Sequence, residues 1–112
     1  MNALLLQRGE TLVIPLDADG SVADVASVAA NAKPCTYGSM PPTSVSAAFN
    51  WTVTVREATA DFPAGWDLSY SAANSANLAT GSFVTTVELT LTDGKKRRST
   101  PIYWRLQEVT LP

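Results

Sequence analysis

The 112-residue chain contains no histidine and one cysteine, Cys35. Ser-His-Asp and Cys-His nucleophile systems and the usual zinc-ligand sets have no members here, because each needs an imidazole or a second thiolate. Carboxylates, cations and aromatics remain. Asp17-Ala18-Asp19-Gly20 supplies the first acidic positions of a calcium loop, but Ser21 stands where a third ligand is expected and Val28 where the bidentate Glu would be. Asp24, Asp61 and Asp67 are of the type that pairs in glycoside hydrolysis, yet their segments read as turns rather than as walls of a pocket. Cys35 cannot form an internal disulfide and reads as a buried structural thiol. No catalytic residue, metal or cofactor is expected, and the chain reads as a non-enzyme.

Four of the eight basic residues form one run, Lys95, Lys96, Arg97 and Arg98. The rest of the chain carries four basic against ten acidic residues, a formal −6 beside a local +4. Such a run protects a strand edge, contacts an acidic neighbour or binds phosphate. A phosphate-binding face would work against the acidic background, so nucleic acid is the least favoured of the three. A contact with an acidic protein surface is expected.

Trp51, Trp66 and Trp104 could stack on sugars or fill a partner's pocket if exposed. Trp51 and Trp104 lie on apolar faces of alternating strands, where core packing is expected. Trp66 follows Pro63-Ala64-Gly65, and Tyr37, Met40, Pro41 and Pro42 fall in a breaker-rich segment. Loops carry aromatics that no sheet requires, so these five residues are candidate interface positions.

The elements that must position these residues are almost all strands. Residues 4–7 and 11–16, separated by Arg8-Gly9, read as an opening strand pair. Residues 51–57 alternate Trp51, Val53 and Val55 against Thr52, Thr54 and Arg56. Phe83, Val87, Leu89 and Leu91 share one face of a strand whose other face carries Thr86, Glu88, Thr90 and Thr92. Asp93-Gly94 predicts a type I′ hairpin, and a return strand carries Ile102, Trp104 and Leu106 inward. Residues 22–32 read as a short turn and then a strand. One helical turn is predicted at residues 71–78, capped by Ser71 and stopped by Gly81. Residues 35–50 form the longest loop.

Length fits one domain spanning residues 1–112. Seven or so short strands with frequent turn signals predict an all-β, antiparallel β-sandwich whose core includes Trp51, Val53, Val55, Val87, Leu89, Leu91, Trp104 and Leu106. The antibody-type Cys and Trp spacing is absent. Leu4, Leu5 and Leu6 place apolar groups on both faces of the first strand, so Leu4 and Leu5 are interface candidates whose burial needs a partner. Three leucines with no basic residue before them are too short for a secretory leader, and no apolar run approaches a membrane span.

Two stretches carry a resemblance. Leu6-Gln7-Arg8-Gly9-Glu10-Thr11, an apolar strand, and then Asp19-Gly20-Ser21-Val22-Ala23-Asp24-Val25 form the first. Trp66-Asp67-Leu68-Ser69-Tyr70, the alanine-rich turn ending at Leu78, Gly81-Ser82-Phe83 and the strand from Val87 to Asp93-Gly94-Lys95 form the second. Together they resemble the small immunoglobulin-like domains of tailed-bacteriophage virion proteins. They cover about half the chain and are packing and turn patterns, not chemistry. The 35–50 loop and Ser99-Thr100-Pro101 depart from the pattern. The resemblance implies an immunoglobulin-like sandwich acting as a structural virion component of the tail, baseplate or fibre-attachment region, with other virion proteins and copies of itself as partners. It implies synthesis in the bacterial host cytoplasm and residence in the virion, with no membrane partner. Capsid decoration and a carbohydrate-binding module are the alternatives.

Overall fold

A computed structural model describes residues 4–18, 22–36, 39–42, 44–61, 63–98 and 101–108. Among the described residues nine strands form two sheets: β1 (Leu4–Gln7), β2 (Leu12–Asp17), β3 (Val25–Pro34), β4 (Phe49–Asn50), β5 (Thr52–Arg56), β6 (Gly65–Tyr70), β7 (Gly81–Leu91), β8 (Lys96–Arg98) and β9 (Ile102–Gln107). The larger sheet runs β1-β9-β7-β3-β4, with β8 also on β7, and the smaller runs β2-β6-β5. Leu12, Ile14 and Leu68 of the small sheet share one core with Ala30, Ala32, Phe83, Val87, Trp104 and Leu106 of the large one. Alternation explains this arrangement: on β2, β6, β7 and β9 inward apolar side chains recur at every second position, and burying two such faces against each other removes both from water. The β-rich expectation holds.

Two features of the topology differ from the sequence reading. First, β1 and β2 are not a strand pair: β1 lies on β9 and β2 on β6, so the chain changes sheets at Arg8-Gly9. Second, β1 runs parallel to β9, so the large sheet is mixed rather than wholly antiparallel. The reason is connectivity. An antiparallel hairpin needs its two strands in one sheet, whereas here Arg8 N donates to Gln107 O at 2.9 Å and keeps the end of β1 beside β9.

The predicted strand at residues 51–57 is present as β5, trimmed to Thr52–Arg56, and a second short strand, β4, precedes it in the other sheet. Asn50 pairs with Asn31 in the large sheet, and Thr52 pairs with Ser69 in the small one. Trp51 is the corner between them and is buried. Of the eight expected core residues, Trp51, Val87, Trp104 and Leu106 are buried, while Val53, Leu89 and Leu91 are half-buried. Val55 is 60% exposed, because β5 is the edge of the smaller sheet and its Arg56 end extends past the shared core.

Turn chemistry explains the rest. Gly94 N donates to Leu91 O at 2.9 Å, and Leu91 pairs across to Lys95, so the β7–β8 hairpin has a three-residue loop, Thr92-Asp93-Gly94. Only Gly94 has positive φ there, +89°, so the turn is a tight turn followed by a left-handed glycine and not the predicted type I′. The helical turn is Ala72–Ser75, and the Ser71 hydroxyl accepts from Asn74 N at 3.3 Å. Gly81 does not stop it; Ala76 caps the turn, and Gly81 is the first residue of β7. Residues 22–34 follow the sequence reading, with a 3₁₀ turn at Val22–Asp24 leading into β3.

Candidate interaction surfaces

Two buried polar groups hold the aromatic centre and the lower end of the fold. Thr85, on the inward face of β7, accepts from Trp51 Nε1 at 3.0 Å and from Trp104 Nε1 at 2.9 Å. A hydroxyl oxygen has two acceptor sites, so one Thr satisfies both indole donors. Phe83 stacks on Trp104 at 4.7 Å, and Phe49 stacks on Tyr70 at 3.9 Å. Ser75 Oγ donates to Glu10 O at 2.7 Å and accepts from Gly9 N at 3.1 Å, tying the helical turn to the sheet crossover. Sequence reasoning missed Thr85 and Ser75; the available signal for Thr85 was a lone hydroxyl interrupting the apolar face of β7.

Trp66 is not a loop residue. It lies in β6, opposite Leu16 and Val55, and is buried. Gly65 precedes it because β2 and β6 approach too closely for a side chain: a Cβ there would overlap the Leu16 carbonyl and come within 2.8 Å of Arg56 Nη2. Arg56 spreads over that glycine, donating to Asp67 Oδ1 and Asp17 Oδ1 at 2.7 Å each, to Leu16 O at 3.1 Å and to Pro63 O at 3.1 Å. Asp17 and Asp67, considered for calcium and for hydrolytic chemistry, are thus ligands of an arginine. Among the described residues no three His, Cys, Asp or Glu side chains are grouped to hold a metal ion.

With Trp51, Trp66 and Trp104 all buried, none presents an open face for stacking on a sugar. Among the described residues the exposed large apolar ones are Leu4, Leu5, Val13, Met40 and Val55. Leu4 sits opposite Trp104 and Leu5 opposite Arg105, so the two leucines point to opposite faces of an edge strand. Both stay exposed, Leu4 at 42% and Leu5 at 54%, while Leu6, on the face of Leu4, packs against the core. Two other edges are blunted, β2 by Pro15, which lacks an N–H, and β8 by its Lys-Arg-Arg sequence.

In the long loop, Met40 and Pro42 are exposed and Pro41 is half-buried; Tyr37 lies outside the described residues. Met40, Pro41 and Pro42, with Pro34, Cys35 and Val45, line an open pocket of ≈520 Å³. Cys35 is half-buried rather than fully buried, and desolvation raises its thiol pKa. Its N–H donates to Ser82 O at 3.1 Å, continuing the β3–β7 ladder into the loop.

The basic run is the strand β8 and the residue before it. Lys96 Nζ and Arg98 Nε each lie 3.2 Å from the Glu88 carboxylate on β7, and Lys95 Nζ lies 3.9 Å from Asp93. Glu88 is held below the usual carboxylate range by its hydrogen bond from Lys96, then by that from Arg98 and by their charges. Arg97, opposite Leu89, points to the other face and has no acidic partner among the described residues. The four cations are therefore divided by strand alternation, and two of them already share one carboxylate.

No helix among the described residues is long and apolar enough to cross a membrane. Comparison with protein-family models, with curated proteins and with solved structures finds no match in any of the three.

Proposed function

We propose that this chain is a non-enzymatic structural subunit of a tailed-bacteriophage virion, in the tail, baseplate or fibre-attachment region, working by packing against other virion proteins and copies of itself. Its resident location is the virion, after synthesis in the host cytoplasm, and its two sheets are an immunoglobulin-like sandwich of the kind the sequence resembles. The observation that carries the reading is β1: a parallel edge strand with Leu4 and Leu5 exposed on opposite faces. A two-faced apolar edge is an association surface, since a folded monomer otherwise leaves it in water. The exposed Met40 and the cationic hairpin add further contact surface.

Burial of all three tryptophans removes the feature that motivated a carbohydrate-binding module. Capsid decoration uses the same kind of surface and differs only in position. Immunogold labelling of intact particles with antibodies to this chain separates the two: label at the tail supports the proposal, label over the capsid moves the subunit to the alternative, and unlabelled particles containing the other virion proteins oppose both.

A further inference from the structure

We propose that two copies of this chain associate across a two-fold axis, the β7–β8 hairpin of each copy meeting the acidic segment 57–61 of the other. This deepens the virion reading, which already has copies of this chain as partners, by naming the two surfaces that meet, and it holds in dilute solution whatever the larger assembly is.

The argument begins with charge left over after folding. Residues 88–98 carry Lys95, Lys96, Arg97 and Arg98 against Glu88 and Asp93, a formal +2. Residues 57–61 carry Glu57 and Asp61 with no basic residue, a formal −2. Internal pairing engages Lys96 and Arg98 with Glu88, and Lys95 with Asp93. Arg97, Glu57 and Asp61 are exposed and make no ion pair with a described residue. The two segments carry opposite formal charge, and no ion pair among the described residues joins them within one copy.

Their placement fixes the symmetry. Ala18 N donates to Ala64 O at 2.8 Å, which puts the end of β2 beside the loop that follows β5. The chain then passes through Val22–Asp24, and Asp24 O accepts from Thr92 N at 3.0 Å, beside the hairpin tip. β3 pairs Val25 with Leu91 and Asn31 with Asn50, and Trp51 N donates to Ala30 O at 3.0 Å, so the run from β4 into β5 heads toward the Leu91 end of β7 and brings both patches to that end. When a cationic and an anionic patch share one end, a two-fold axis through that end places each opposite its complement, and the contact closes at two copies instead of propagating. Val55, 60% exposed on β5 two residues before Glu57, adds apolar surface beside the acidic segment, and Arg97 shares a sheet face with the half-buried Leu89 and Leu91. Apolar surface bordered by charge is the usual anatomy of a specific contact.

Sedimentation of the full chain across protein concentration and salt tests this. The wild type is expected to form a dimer at about 20 mM salt that weakens as salt rises through about 0.5 M, where screening shortens the reach of exposed charges. The double reversal Lys95→Glu/Arg97→Glu and the double reversal Glu57→Lys/Asp61→Lys are each expected to weaken self-association about tenfold or more, while an equimolar mixture of the two regains a dimer. Circular dichroism on each variant verifies folding, and should one reversal unfold, Arg97→Gln with Glu57→Gln at unchanged fold tests the same contact. A chain that stays monomeric at low salt, a dimer indifferent to salt, or a mixture that regains nothing overturns the proposal. None of these outcomes bears on whether the chain belongs to a virion.

Discussion

The indole N–H of Trp104 lies 2.9 Å from the hydroxyl oxygen of Thr85, on the neighbouring strand, and both residues are fully enclosed. Trp51 donates to the same oxygen from the corner where the chain leaves the large sheet for the small one. One hydroxyl thus fixes two tryptophans and, through them, the crossing between sheets. Thr85→Val keeps the shape but strands two buried donors, each costing about 1–3 kcal/mol. We expect a loss of about 2–5 kcal/mol in urea unfolding, with Thr85→Ser recovering most of it. Equal stability of the Val and Ser variants would show that the indoles find other acceptors.

Gly65 is fixed by space and not by backbone conformation. Gly65→Ala must push apart β2 and β6 or displace the Arg56 guanidinium, because the new methyl would meet Leu16 O and Arg56 Nη2. Overpacking of this kind costs about 1–3 kcal/mol. The expected result is a lower unfolding midpoint with unchanged denaturant dependence; a neutral Gly65→Ala would mean that the strands separate freely there.

Glu88 predicts an acid-sensitive hairpin. Its folded pKa is depressed by Lys96 and Arg98, so its stabilising effect is present above the ordinary glutamate value of about 4.3 and is lost as pH falls through the lower, folded value. An NMR titration should place the Glu88 midpoint below that of an unstructured Glu peptide and move it upward in high salt. Glu88→Gln should flatten this part of the acid response. A midpoint at the ordinary value would remove the two ion pairs from solution.

Cys35 should react slowly. Burial raises its pKa, so the thiolate fraction near pH 8 is smaller than in a free peptide. Iodoacetamide labelling of the native chain is expected to lag that of the urea-unfolded chain, and equal rates would place the thiol in open water.

The residues that could be read from sequence are those whose local pattern and tertiary setting agree. Val87, Trp104 and Leu106 alternate on strands buried against the second sheet, so periodicity alone located them. Ser71 capped the expected helical turn because its hydrogen bond is local. Val55 has the same pattern as Val53, but β5 is an edge and its end overhangs, which no short-range signal records. Trp66 was misplaced because Pro63-Ala64-Gly65 looks like a loop, whereas Gly65 is there to let two strands approach. The parallel pairing of β1 with β9 joins residues about 100 positions apart and leaves no trace in either segment. Of the interface candidates, Leu4, Leu5, Met40, Pro42 and the four cations are exposed, Pro41 is half-buried and Trp66 is buried.

The central proposal, that this chain is a structural virion subunit, is tested most directly by quantitative mass spectrometry of gradient-purified phage particles from the system that encodes it. The chain should be present in every preparation at a fixed copy number relative to the major virion proteins, and should remain after a high-salt wash that strips adventitious protein. Abundant chain in infected cells but none in purified particles would contradict the proposal.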